Sequence, residues 1–208
     1  MYKKQMTVQK VICLLALIAS VLAFVYSLGM MTDLHDTLSP ASTHVTWVKK
    51  QLKITEDTDF GFSILKDMQP FNRNLLMVSI GLILFACLLF ITNTASRRKY
   101  YIANYISTGL CAAANVATAI WAAIQVETFR AQYIAMDHEV LAKIMTEKVM
   151  RSNKSYVYEP SEVWFNLYYI VFAALLLVSA LLIVNVIWKN WLMKDEKRLI
   201  AEGKAVSA

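Results

Sequence analysis

The sequence predicts an all-α integral membrane protein: a left-handed four-transmembrane-helix bundle with two partly helical extracytoplasmic loops. Three observations lead there. Of 208 residues, 58% are hydrophobic and only 17% charged, against about 25% charge in ordinary soluble domains. The deficit sits in four runs without Asp, Glu, Lys, Arg or His, at about 11–31, 75–94, 100–126 and 163–188. About 20 such residues cross the roughly 30 Å of bilayer hydrocarbon, so each run qualifies as a span. Finally, all 21 Lys and Arg lie outside the spans, and they are unevenly shared between the two sides. The whole chain, 1–208, reads as one membrane domain.

The first run, "VICLLALIASVLAFVYSLGMM", follows a basic start, Lys3, Lys4 and Lys10. Its 21 residues exceed the 7–15 of a typical signal-peptide core, and no A-x-A site follows closely, so it is expected to remain as a span. Cys13, Ala16, Ser20, Ala23 and Ser27 recur at spacings of 3 and 4, one face of a helix. The second run follows Pro70, with Asn72 or Asn74 as possible helix caps, and places Ser79, Ala86 and Asn93 seven apart.

The third run is the unusual one. Between 102 and 126, 13 of 25 residues are Ala, Gly, Ser, Thr or Cys. At about 100° per residue, Asn104, Thr108, Cys111, Asn115, Thr118 and Ala122 fall within about 40° of one line down the helix. In lipid no hydrophobic force draws helices together, so close backbone approach and amide hydrogen bonds must do it. The stripe therefore marks the third helix as the central one. Ser20 and Ser179 lie at the depth of Asn115 and complete this intramembrane polar packing face. Asn93, Asn104 and Asn185 are expected to meet as one inner polar cluster.

The fourth run follows Pro160 and Ser161, a helix-start signal. It has only four small residues in 26, and it is expected to cover the third helix with much of its surface to lipid. Asn166, Ala173 and Ala180 stand seven apart. A seven-residue repeat favours left-handed crossing near +20°. Trp164, Phe165, Tyr168 and Tyr169 at its outer end, and Trp188 and Trp191 at its inner end, read as an aromatic belt. Beyond it, residues 189–208 contain no proline and are expected to continue the helix as a cytoplasmic tail.

Orientation follows from charge. One side carries 11 basic and three acidic residues, the other ten basic and twelve acidic. Short basic segments stay in the cytoplasm, so the expected arrangement is a multi-pass cell-membrane protein with both termini cytoplasmic. The net charge of +6 then reflects this bias and lipid headgroups rather than a nucleic-acid partner.

The outer loops, about 32–74 and 127–162, are too apolar for simple connectors. Phe129, Tyr133, Met136, Val140 and Ile144 form one helical stripe, and the third helix is expected to run on to about Val149. That stripe either lies over the bundle or binds a partner. All three cysteines, Cys13, Cys87 and Cys111, are in spans, which excludes a disulfide framework in the loops. Four spans with two outer loops is a layout that resembles claudins and tetraspanins, but the loop cysteines those families rely on are missing, and the sequence identifies no family. Asn153-Lys154-Ser155 matches a glycosylation acceptor, a short and common motif.

Catalytic chemistry has little to stand on. His35, His44 and His138, near Asp33, Asp36, Asp137 and Glu139, follow no established metal spacing. There is no G-x-S-x-G, no C-x-x-C and no phosphate loop. No span holds the ionisable groups of proton relays. The sequence thus favours a protein with no catalytic residues, cofactor or metal: an accessory, assembly or regulatory subunit that binds another integral membrane protein or itself. The alternative is a homo-oligomeric channel or small-solute facilitator, its path lined by the polar face of the third span.

Overall fold

The computed structural model describes residues 2–31, 67–94, 101–135 and 162–206. These form four helices, and among the described residues there is no strand. Helix α1 is Tyr2–Gly29, α2 is Gln69–Thr94, α3 is Tyr101–Ile134 and α4 is Val163–Val206. All four are long and apolar enough to cross a membrane. At 1.5 Å per residue, the 44 residues of α4 extend to about 66 Å, twice the hydrocarbon thickness.

The helix ends follow ordinary rules. Pro70 is the second residue of α2, where the missing N–H is not needed by the helix. Asn72 and Asn74 therefore sit inside α2 and are not its caps. The Glu162 carbonyl accepts from the Phe165 and Asn166 amides at 3.0 and 3.1 Å and so starts α4. At the other end of α1, Met30 N–H reaches Tyr26 O at 3.0 Å and Met31 N–H reaches Leu28 O at 3.1 Å. The second is a tighter bond that closes the last turn. Helix α3 runs eight residues past the expected span to Ile134; its expected continuation to Val149 lies outside the described residues.

The chain divides into two compact units, each holding part of every helix. Unit 1 comprises Met1–Ala23, Val78–Ile120 and Val171–Ala208. Its core pairs small with large. Helices α1 and α3 supply Cys13, Ala16, Ala19, Cys111, Ala112 and Ala119; α2 and α4 supply Leu82, Leu89, Phe172, Leu175, Val178 and Leu182. Small residues let backbones approach, and the larger side chains fill the remaining space. The expected small faces of α1 and α2 are buried in this unit, with Cys13, Ala16, Ser20 and Ala23 on one and Ser79, Ala86 and Asn93 on the other.

Unit 2 comprises Phe24–Met77 and Trp121–Ile170, and its core is aromatic. Tyr26 meets Tyr168 edge-on with centroids 4.6 Å apart. Phe71 lies 5.5 Å from Trp121, 5.9 Å from Tyr168 and 6.3 Å from Phe129. Tyr133 packs on Trp164 and Phe165 at 5.8 and 5.6 Å. Edge-to-face and tilted rings add to what their burial contributes.

Two expectations fail here. Trp164, Phe165 and Tyr168 are buried, so they form core rather than an interfacial belt. On α4, Asn166, Ala173 and Ala180 are all exposed. The buried side is instead Phe165, Tyr168, Phe172, Leu175, Val178 and Leu182. The small residues of α4 predict a different inner face, but the buried side of α3 is already small, so larger side chains of α4 fill the space. The outward surfaces are strongly apolar: Met77, Leu84, Ile91, Ile170 and Leu177 are each more than 60% exposed. A surface of that kind suits lipid, not water.

Candidate functional site

Polar side chains group inside both units, and one charged network lies at the edge of unit 2. Among the described residues fourteen polar side chains are buried, all of them amides or hydroxyls. The interior therefore offers hydrogen bonds and no charge.

All eight residues of the expected packing face are buried. Asn104, Thr108 and Thr118 are about 5–6% exposed, and Cys111, Asn115, Ala122, Ser20 and Ser179 at most 1%. Their bonds differ from expectation. Ser20 donates to its own helix at Ala16 O, 2.8 Å away. Ser179 donates to Leu175 O at 2.8 Å and, across to α3, to Ala112 O at 3.4 Å. Neither reaches Asn115. The Asn115 amide is 3.9 Å from Cys111 Sγ, and its Oδ1 has no partner. Serine in an apolar helix bonds most cheaply to the carbonyl a turn back, which takes both hydroxyls away from the amide.

One end of unit 1 is richer than expected. It gathers the start of α1, the end of α2, the start of α3 and the departing part of α4. Asn104 Nδ2 donates to Asn93 Oδ1, while Thr108 Oγ1 lies 3.4 Å from Asn104 Oδ1. Asn185 does not join this pair. Its Oδ1 accepts from Gln5 Nε2 at 3.1 Å, and Gln5 also donates to Gln9 Oε1 at 2.9 Å. Thr92 and Ser107 hydroxyls meet at 2.9 Å, and Tyr105 donates to Asn190 Oδ1. The single expected cluster is thus two amide groups on different helix pairs. Gln5 and Gln9 went unassigned because they precede the first uncharged run. Their signal was present: Gln5, Gln9, Cys13, Ala16 and Ser20 continue one helical face.

Unit 2 holds a second arrangement that the sequence reading passed over. Tyr168 donates to Asn72 Oδ1, Asn72 is fully buried, and its Nδ2 has no partner. Tyr26 donates to the Trp164 carbonyl at 2.5 Å. At the edge, Arg130 bonds Glu162 at 2.9 Å and Glu127 at 3.4 Å, and Tyr169 donates to Glu127. This network joins α3 to the start of α4.

Of the partner-binding candidates, Phe129 and Tyr133 are half-buried against the rings of unit 2. Met136, Val140 and Ile144 lie outside the described residues, as do His35, His44, His138 and the glycosylation acceptor. Among the described residues no three His, Cys, Asp or Glu side chains group as metal ligands. No protein-family model, curated protein or solved structure matches the chain.

Proposed function

We propose that this chain is a non-catalytic multi-pass membrane protein that serves as an accessory, assembly or regulatory subunit of a membrane-protein complex. The observation that carries the reading is the burial, by the chain's own helices, of every residue of the α3 stripe. A homo-oligomeric channel using that stripe needs it turned to a symmetry axis, where it would be open in a single chain. A stripe already spent on internal packing leaves lipid-facing helices and a long α4 for association. The interior is also neutral, and coupled transport ordinarily relies on buried ionisable groups.

The finer features belong to the same proposal. The helices cross with left-handed geometry, as the seven-residue spacings of α1 and α2 favour. The cell membrane is the host, and both termini face the cytoplasm, as the 11-to-3 balance of basic over acidic residues favours. Helix α4 continues 18 residues beyond 188, with Trp191 58% exposed, and this extension is where a partner engages.

The test is purification of the full chain in mild detergent, with mass spectrometry of the intact complex. A second, different membrane protein in fixed ratio supports the proposal, and truncation after Lys194 should release it while the chain stays inserted. A closed homo-oligomer that conducts ions or solutes in liposomes would overturn it.

A further inference from the structure

We propose that the outward face of α4 is the seam of a homodimer, and that its occupant is the same face of α4 from a second copy of this chain. The seven-residue spacing of Asn166, Ala173 and Ala180 is a packing period, and the chain's own helices leave all three exposed. Val163, Ile170, Leu177, Val184 and Trp191 also stand seven apart, are 58–64% exposed, and interleave with the first set at spacings of 3 and 4. Ile187, 62% exposed, extends the first set. Together the two sets form a heptad seam that runs for four heptads from Val163 to Trp191. A repeat sustained over about three to four heptads marks a coiled coil, and here the fold has left it without a partner helix.

The contents of the seam favour two parallel copies. Val163, Ile170 and Val184 place β-branched side chains at one heptad position, the choice that favours parallel two-stranded coils. Copies of one chain insert with one topology, so a second α4 lies parallel to the first and sets each seam residue opposite itself. Ala173 and Ala180 then let the backbones approach, which is what draws helices together in lipid. The Asn166 amides of the two copies are complementary to each other, each with a donor and an acceptor, and a single amide layer fixes the register of a coil. No residue from Val163 to Trp188 is charged, so no like charge opposes the pairing within the span, and the first charge on the seam line is Lys194. The outward line of α1 differs. Val8, Val11, Leu15, Ile18 and Leu22 are exposed and bulky throughout, a surface for lipid. This inference goes beyond the accessory-subunit reading: the seam lies within the span, and the extension of α4 past 188 stays available to a different protein.

The experiment is cysteine crosslinking of the full chain in membranes, joined to dilution of labelled chains in liposomes read by energy transfer. Cys87, the exposed cysteine, is replaced by Ser, while Cys13 and Cys111 are buried within the chain. Ala173→Cys and Ala180→Cys should each give a disulfide-linked dimer on mild oxidation. Ala113→Cys, on the outward face of α3, should not. Ala173→Leu/Ala180→Leu should weaken dimerisation on the order of 10-fold or more, because bulk enters two close-packed layers. Both sites are exposed in the single chain, so its own packing is spared. Ala113→Leu, the same change on α3, should leave the dimer unchanged. A wild-type chain that stays monomeric at every protein-to-lipid ratio overturns the proposal and leaves the face to lipid, whether or not any variant folds. Crosslinking at Ala113→Cys equal to that at Ala173→Cys overturns it, as does a dimer weakened by Ala113→Leu and not by the α4 pair. Capture of a different protein by Ala173→Cys in place of a second copy overturns it too.

Discussion

Removing the hydroxyl of Tyr168 tests how the aromatic core of unit 2 is satisfied. Asn72 is 0% exposed. Its Oδ1 accepts from Tyr168, and its Nδ2 has no partner. Tyr168→Phe keeps the ring and its contacts with Tyr26 and Phe71, but leaves both atoms of a buried amide without that bond. Stranding a buried polar group costs about 1–3 kcal/mol, so a central loss of about 2 kcal/mol is expected. For a chain of this size that lowers Tm by about 4–8 °C. Replacing both partners by apolar groups is close to neutral. The Tyr168→Phe/Asn72→Leu variant should therefore recover most of the loss, with a coupling of about 0.6–1.7 kcal/mol, the range found for membrane hydrogen bonds. Thermal unfolding in detergent, followed by helical circular dichroism, supplies all four corners of the cycle. Wild-type stability for Tyr168→Phe together with additivity within about 0.5 kcal/mol would refute the reasoning and make the amide a spectator.

The same assay reads three further substitutions. Ala122→Leu adds bulk at a fully buried position and should cost about 1–3 kcal/mol by overpacking; full tolerance would mean that the position opens to lipid or water. Leu182→Ala, at a site 2% exposed, should cost roughly 1–3 kcal/mol, the cavity share of what soluble cores lose, while Leu176→Ala, 43% exposed, should stay within about 0.5 kcal/mol. Asn93→Leu/Asn104→Leu should be milder than either single change, since each single change strands the remaining buried amide; strictly additive losses would show that the two amides do not act as a pair.

What was legible in the sequence was what lipid itself imposes. Charge-free length marked four helices, and the small residues of α1 and α3 marked their inner faces, because both follow from periodicity and bilayer physics alone. The face of α4 was misread for a definite reason. Ala173 and Ala180 sit at a packing period, yet whether a helix turns small or large residues inward depends on the helices opposite it. The buried amides Gln5 and Gln9 were hidden by the convention that a span begins where charge stops. The lysines around them, Lys3, Lys4 and Lys10, interrupt the run without interrupting the helix. Asn72 and Tyr168 are more than 90 residues apart, and nothing local to either announces the other.

The placement of the amides bears on the choice between subunit and channel. In unit 1 each interhelical amide contact has a second polar group one turn along the same helix: Gln9 after Gln5, and Thr108 after Asn104. A path for solute would gain from such a ladder only if the rungs stayed free to bond what passes. Here the rungs bond each other along the helix and their partners across it, with Gln5 donating both to Gln9 and to Asn185. Opening the ladder to a solute would break several of these bonds at once. The same closure suits a protein whose work is to hold its own helices in register while its outer surface meets others. A slide of α1 by one turn, about 5.4 Å, would part Gln5 from Asn185, so the amides resist sliding while the apolar exterior is indifferent to it. A fixed interior beneath a largely apolar exterior suits association with neighbouring helices by packing. On the proposed reading as an accessory subunit, the contacts that select one neighbour are expected on the extension of α4 beyond residue 188, the stretch that carries Trp191 and Lys194.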